Sequence, residues 1–266
     1  MRLTVIGARG FIGSALEQHA RLAGLDVVGT SHDRIPKDSL GTVIYCSGLA
    51  CGASEQPLEA YRLHVSVPAR VLSEATYERF IYVSSTRVYD GAASTNEDAG
   101  LVVRPLDMNS TYAISKLAGE AAALAASTNN VVVRLSNVFG PKMRSRVFLN
   151  DIMRQAVSSG RIEIRTALDS SKDYVALDDV SDLVLRIARA GTQRVYNIAA
   201  GYNTTHAQLT HKIAAAVPVR VVVEPDAPLA VAPTIDIGRI KREFPFTPRN
   251  VVEAIPEMIR ALQDAR

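Results

Sequence analysis

Tyr112 and Lys116 stand four residues apart in the run Tyr112-Ala113-Ile114-Ser115-Lys116. That spacing is one helical turn, so a phenol and an ammonium share a face. A phenol near its ordinary pKa of about 10 is a poor base at neutral pH, and a fixed cation beside it favours the phenolate. Lys116 is therefore expected to tune Tyr112 for proton transfer, and from the same place to hydrogen-bond the ribose of a nicotinamide cofactor. A third group must hold the substrate oxygen while charge develops on it. Ser84, Ser85 and Thr86 end the strand-like run Arg79-Phe80-Ile81-Tyr82-Val83, and ligands of open α/β sheets bind at such carboxyl ends. A Tyr-x-x-x-Lys pair alone is common on exposed helices; its meaning here comes from the hydroxyl-rich strand end and from the N-terminus.

The chain opens with a strand-like run that turns through Gly7-Ala8-Arg9-Gly10-Phe11-Ile12-Gly13 into a helical pattern. A turn without side chains lets backbone approach a pyrophosphate, and the helix start adds unpaired N–H groups and partial positive charge. The same glycines also suit a tight turn and close helix packing. After the second strand the chain reads Thr30-Ser31-His32-Asp33-Arg34. Ser31 occupies the place of the acid that would bind the ribose of NAD, and Arg34 and Arg9 could meet the extra phosphate of NADP. NADP is the expected cofactor, with NAD the alternative: were the strand two residues longer, Asp33 could take the ribose. Both arginines also read as solvated surface charges.

The elements that must position these groups alternate for about two hundred residues, the pattern of βαβ units around a parallel sheet. Buried strands are expected at 2–6, 26–30, 42–46, 79–83, 130–135 and 194–198. One apolar stripe, Ile12, Ala15, Leu16, Leu22 and Ala23, and another, Val180, Leu183, Val184 and Ile187, are expected to pack on the sheet. The segment from Ser31 to Gly41 is too short for a helix and a further strand, so one βα unit is missing or vestigial. Beyond Pro141 come a helix near Phe148 to Val157, a short strand at Arg161 to Arg165, and a Pro-punctuated tail from Pro218 to Pro248. The expected division is 1–140 with 172–200 for the dinucleotide and 141–171 with 201–266 as a small substrate cap.

Composition limits the alternatives. The chain has 266 residues, 47% of them hydrophobic and 21% charged, with a formal net charge of +3. No apolar run has the roughly 18 residues of a membrane helix. Lysines and arginines form no block that would mark a nucleic-acid surface. Met1 leads directly into the first strand without a secretory pattern, so a soluble, cytoplasmic protein is expected. Cys46 and Cys51 read as reduced thiols, and no metal-ligand spacing occurs.

Together these motifs resemble the extended short-chain dehydrogenase/reductase superfamily, in its NAD-dependent epimerase/dehydratase branch that acts on nucleotide sugars. The resemblance covers nearly the whole chain. Beside the glycine turn and Tyr112/Lys116 it includes Thr42-Val43-Ile44-Tyr45-Cys46-Ser47-Gly48-Leu49, Ser84-Ser85-Thr86-Arg87-Val88-Tyr89, Arg134-Leu135-Ser136-Asn137-Val138-Phe139-Gly140-Pro141, and Asp173-Tyr174-Val175 leading to Asp179. It implies a doubly wound parallel sheet, the Rossmann fold, with a small C-terminal cap. It also implies Ser85 as the hydroxyl that polarises the substrate oxygen, Tyr112 as acid/base and Lys116 as its partner and ribose ligand. The cofactor would lie against Gly7, Arg9, Gly10, Phe11, Ile12, Gly13, Ser31, His32, Arg34, Ser47, Gly48 and Leu49. Thr86, Asn137 and Arg144 are the substrate-side candidates, Asn137 reading equally as a turn residue, and Lys142, Arg144 and Arg146 as a solvated basic loop.

Departures narrow the chemistry. Sugar 4,6-dehydratases of the family carry an Asp-Glu pair where this chain has Thr86 and Arg87, so β-elimination is disfavoured. His64 stands where many relatives place asparagine, and Asp90 replaces a glycine; neither receives a role from the sequence. The expected activity is hydride transfer to or from a nucleotide-linked sugar, by an epimerase or a 4-keto-sugar reductase. A reductase of a small carbonyl compound and a non-catalytic NADP sensor are the competing readings, the sensor disfavoured because Tyr112 and Lys116 are both present. A homodimer through the helices around 61–75 and 112–126 is also expected.

Overall fold

The computed structural model of the chain describes residues 1–36, 38–49, 52–141 and 147–264. Six short runs of apolar residues form one all-parallel sheet: β1 (Arg2–Ile6), β2 (Asp26–Thr30), β3 (Thr42–Tyr45), β4 (Arg79–Ser85), β5 (Val131–Leu135) and β9 (Val195–Ile198). Their order is β2-β1-β3-β4-β5-β9. Side chains of β3 and β5 are buried on both faces, which is why these strands read as near-continuous apolar runs rather than alternating ones. β2 is an edge strand, and residues 31–41 reach β3 with no described helix between, so the shortened βα unit is found where the spacing required it. β4 runs two residues further than its apolar run and delivers Ser84 and Ser85 as its last members.

Helices cover both faces. On one side α1 (Phe11–Leu22) and α6 (Leu177–Ala190) pack over Leu3, Val5, Ile81 and Val133. All four residues of the α6 stripe are buried. The α1 stripe is corrected: Leu22 is 79% exposed and Ala23 lies beyond the helix, while Gly13, Leu16 and Ala20 face the core. The helix presents i, i+3 and i+7 inward, and Leu22 in its last turn faces solvent. On the other side lie α2 (Pro57–Tyr61), a π-helical stretch Arg62–Ser66, α3 (Val67–Glu74) and α4 (Thr111–Ala126). Val67, Val71 and Ala123 meet Val43, Tyr45, Phe80 and Tyr82 there.

A second core lies beyond β5. The short strand β6 (Asn137–Phe139) pairs with β8 (Ser171–Ala176), which pairs with β10 (Asn203–Thr205). Around it α5 (Phe148–Ser159), β7 (Arg161–Ile164), α7 (His206–Ala216), β11 (Arg220–Val223) and α9 (Val251–Asp264) bury Leu149, Ile152, Ile162, Leu209, Ile213, Ile255 and Met258 together. The tail is more ordered than its prolines suggested. It contains β11, paired in parallel with β7, and the short helix α8 (Gly238–Glu243). Between them residues 228–232 run beside residues 167–171 at the start of β8, held by Ala232 N–H to Ser171 O at 3.0 Å and Ala230 N–H to Ser170 Oγ at 3.0 Å. α9 was not anticipated, although Val251, Ala254, Ile255, Met258 and Ile259 keep a helical period across Pro256. Among the described residues no helix is long and apolar enough to cross a membrane.

Candidate active site

The cleft opens at the carboxyl ends of β1, β3, β4 and β5, as the sheet topology requires. Its volume is about 630 Å³, and the tail at Val231–Pro233 forms part of its outer wall. Under it lies the glycine turn. Gly7 has φ +100°, a backbone state that side chains rarely adopt, and a Cβ there would stand 2.7 Å from Ser47 N. A Cβ on Gly13 would stand 2.2 Å from Gly7 O and 2.9 Å from Cys46 Sγ. These glycines let α1 seat against β1 and β3, and they lie behind the cleft rather than in its lining. Gly10 caps α1 without a side-chain hydrogen bond, so the first-turn N–H groups remain for an anion, and Phe11 and Ile12 line the cleft. This cradle fits a dinucleotide pyrophosphate. Ser47 is buried under the turn, while Gly48 and Leu49 reach the cleft surface.

β4 and α4 bring the chemistry. Ser85, Thr86, Tyr112 and Lys116 all line the cleft, and Ser85, Tyr112 and Lys116 are nearly buried. Ser85 Oγ accepts from Arg87 N–H at 3.3 Å, which begins the helical turn Thr86–Tyr89. Lys116 Nζ donates to Val83 O at 2.9 Å, so the ammonium is anchored to the strand that carries the serine. Burial lowers Lys116 to about 8, against the opposing charge of Glu120. Tyr112 is flanked by two rings or planes: His64 meets it edge-on at 5.6 Å, and the Arg87 guanidinium lies 4.8 Å from its ring centroid.

His64, to which the sequence assigned no role, is fully buried at the centre of this arrangement. Leu49 N–H donates to His64 Nε2 at 3.0 Å, so Nδ1 carries the proton and donates to Ser115 Oγ at 2.8 Å. Ser115 in turn donates to Tyr112 O at 2.9 Å. One neutral imidazole thus ties the loop at Leu49 to the helix of the phenol. Burial, then the charge of Lys116, pushes its pKa down to about 3. The π-helical stretch, with its extra residue per turn, is what turns His64 inward, as such bulges often do at functional sites. α4 approaches it closely at Gly119, where a Cβ would lie 2.2 Å from His64 O.

A buried ionic layer supports the floor. Glu120 accepts from Ser84 Oγ at 2.5 Å and from Arg134 Nη2 at 2.7 Å. Arg134 also donates to Tyr89 Oη at 2.8 Å, and Tyr89 donates to Asn197 Oδ1 at 2.8 Å. β4, α4, β5 and β9 are joined through side chains directly behind the cleft.

Other expected residues lie apart or do different work. β2 ends at Thr30, so the two-residue extension that would have given Asp33 the ribose does not occur. Ser31, His32, Arg34 and Arg9 gather at that rim instead of lining the cleft. Ser31 is buried; His32 Nε2 lies 3.3 Å from Arg62 Nη2; and Arg9, 80% exposed, forms a 3.9 Å ion pair with Asp33. A hydrogen bond from Ser31, before the charge of Arg9, holds the Asp33 carboxyl below its ordinary range. Asn137 is a strand residue, not a turn residue: it lines the cleft and donates from Nδ2 to Asp173 O at 2.8 Å. Asp173 accepts from Ala200 N–H and Gly201 N–H at 2.9 and 2.7 Å, and burial raises its pKa. Arg144, with Lys142 and Arg146, lies outside the described residues, as does Cys51. Cys46 is a free thiol that burial raises to about 12. Among the described residues no group of His, Cys, Asp and Glu could hold a metal ion.

Two cleft residues went unread in the sequence, Lys172 and Arg87 in its cationic role. Lys172 lines the cleft from β8, with its ammonium 5.4 Å from the Phe148 ring centroid. The one signal in the sequence was position: Lys172 directly precedes Asp173, and Arg87 follows Ser85 by two.

Residues 3–199 match the family described as the NAD dependent epimerase/dehydratase family. The dTDP-4-dehydrorhamnose reductase of Mycobacterium tuberculosis is 29% identical over 213 residues, covering 72% of this chain and 67% of that protein. Among solved structures, MoeE5 in complex with UDP-glucose and NAD superposes with a TM-score of 0.85 at 24% identity, over 100% of this chain and 99% of that one. RMD from Pseudomonas aeruginosa complexed with NADPH gives 0.83 at 20% identity, over 100% and 98%. With a parallel sheet, a glycine turn and a Ser/Tyr/Lys cleft in the order the motifs required, the chain belongs to the NAD-dependent epimerase/dehydratase family and is an enzyme of that family.

Proposed function

We propose that the protein moves a hydride between a nicotinamide cofactor and a carbon of a nucleotide-linked sugar, with Tyr112 as acid/base, Ser85 as the hydroxyl that holds the substrate oxygen, and Lys116 as the fixed cation between phenol and ribose. The observation that carries this is the convergence of Ser85, Tyr112 and Lys116, from a strand end and a helix, on one cleft at the head of the glycine turn. A bound nicotinamide supplies the hydride acceptor or donor. In the oxidative direction Tyr112 takes the proton of the sugar hydroxyl as the carbon loses its hydride, leaving a carbonyl; in reduction the phenol returns that proton. Ser85 donates to the oxygen in both directions, a stabilisation largest when negative charge is greatest. The tail at Val231–Pro233 and the α5 end of the cap close the cleft over the sugar and limit water. Residues 1–140 with 172–200 serve as the cofactor part and 141–171 with 201–266 as the cap.

NADP is the cofactor we favour, because the ribose-binding acid is replaced by Ser31 and Asp33 is engaged with Ser31 and Arg9. The reading of a ketoreductase draws support from the dTDP-4-dehydrorhamnose reductase among its relatives and from the shortened adenine side, which lets a cofactor exchange at each turnover. An epimerase would retain it. Incubation with NADPH and a 4-keto-sugar nucleotide separates them: steady NADPH oxidation with alcohol product is expected, whereas interconversion of sugar epimers without net NADPH loss would replace reductase by epimerase. Indifference to every nucleotide sugar would sink the substrate class.

A further inference from the structure

Among the described residues Arg87 is the cation that lies against the Tyr112 ring. It is exposed to the cleft two residues after Ser85, and its guanidinium lies against the ring of Tyr112. Among the described residues it has no carboxylate within ion-pair distance, and neither has Lys172 across the cleft. The two are near enough for the charge of Arg87 to add to the burial that lowers Lys172. Arg104 lines the same wall. Of the two acids there, Asp173 is spent on the backbone N–H groups of Ala200 and Gly201, and Asp90 makes no ion pair among the described residues. On this side of the cleft the three cations Arg87, Arg104 and Lys172 outnumber the two carboxylates Asp90 and Asp173, and neither Arg87 nor Lys172 is paired with either acid.

An uncompensated guanidinium in contact with the acid/base ring lies beside the reacting carbon, whichever direction the hydride moves. A planar fork of donors there matches a carboxylate. Resting on the proposed sugar-nucleotide activity, we propose that Arg87, with Lys172 as the second cation, selects an acidic sugar: a nucleotide-linked substrate that carries a carboxylate on the ring next to the carbon that exchanges hydride. A charge-assisted pair of this kind discriminates against the neutral analogue by roughly 10- to 100-fold.

The test is calorimetric binding, in the presence of NADP+, of UDP, UDP-glucose and UDP-glucuronic acid, repeated with the dTDP counterparts, to the wild type and to Arg87→Met and Arg87→Gln. The expected result is that the acid sugar binds at least ~10-fold tighter than the neutral one, and that both substitutions bring this ratio close to one. Equal binding of the two sugars by the wild type would overturn the proposal and leave the parent activity standing. A loss on substitution as large for UDP alone as for UDP-glucuronic acid would also overturn it, since Arg87 would then serve the diphosphate. Absence of binding by every nucleotide and sugar nucleotide would remove the parent reading and this one with it. Melting curves of both variants establish that they fold.

Discussion

The two ends of the cleft are built on opposite principles. Beside Tyr112, His64, Ser115 and Lys116 are buried and hydrogen-bonded, from Leu49 through His64 and Ser115 to α4, and from Lys116 to β4. At the rim beyond β2 the charges proposed to meet the cofactor are solvated, and Arg9 and Asp33 meet at 3.9 Å with most of their side chains in water. Buried polar networks hold geometry because an unmade bond there is costly, whereas exposed ion pairs contribute about 0–1 kcal/mol. The comparison teaches that the position of Tyr112, the proposed acid/base, is over-determined, while the rim proposed to meet the cofactor is held by few and weak contacts.

Four measurements would break or sharpen that contrast. Replacing Tyr112 by Phe removes the proton-transfer group alone, and kcat is expected to fall by roughly 100- to 10,000-fold with little change in melting temperature; turnover within a few-fold of wild type would end the assignment of Tyr112. Glu120→Gln leaves Arg134 buried without its counter-charge, and a loss of about 3–5 kcal/mol in urea unfolding is expected. A change under about 1 kcal/mol would show that the ionic layer does not support the floor.

His64 gives a pH-dependent form of the same argument. Its folded pKa, about 3, lies below the ordinary 6.5, so the unfolded chain binds the extra proton first and stability falls as pH drops below 6.5. Between pH 7 and pH 5 its share is about 2 kcal/mol. His64→Asn, which can still bridge Leu49 and Ser115, should reduce the acid loss by about that amount, with the remaining slope shared by His206, which burial lowers to about 4. An unchanged slope would mean that His64 is already protonated in the fold. At the rim the smallest effect is expected: Arg9→Ala should raise KM for NADPH by a few-fold and leave kcat and stability nearly as they were. A hundredfold change would show that the rim closes on bound cofactor into something far less solvated.

How much could be read beforehand follows the same division. The glycine turn, the six strands and the Tyr112/Lys116 spacing were legible because each is a local pattern: a short continuous apolar run, a period of 3.6, or a residue type suited to a special backbone state. The α1 stripe failed at Leu22 because periodicity does not reveal which turn faces solvent. α9 and the ordered tail were missed because prolines mask a helix that tertiary packing supports. His64 could not be assigned at all; its partners, Leu49 and Ser115, are 15 and 51 residues away in sequence.

The amino-acid sequence by itself determined the parallel sheet, the missing βα unit and the spacing of the proposed Ser85, Tyr112 and Lys116 site, since burial and backbone preference act on neighbours along the chain. Only the tertiary structure decided that an imidazole ties the Leu49 loop to α4 and that Arg87 and Lys172 face the same cleft. Those relations depend on distances between segments far apart in sequence, and charge and hydrogen bonding act through space.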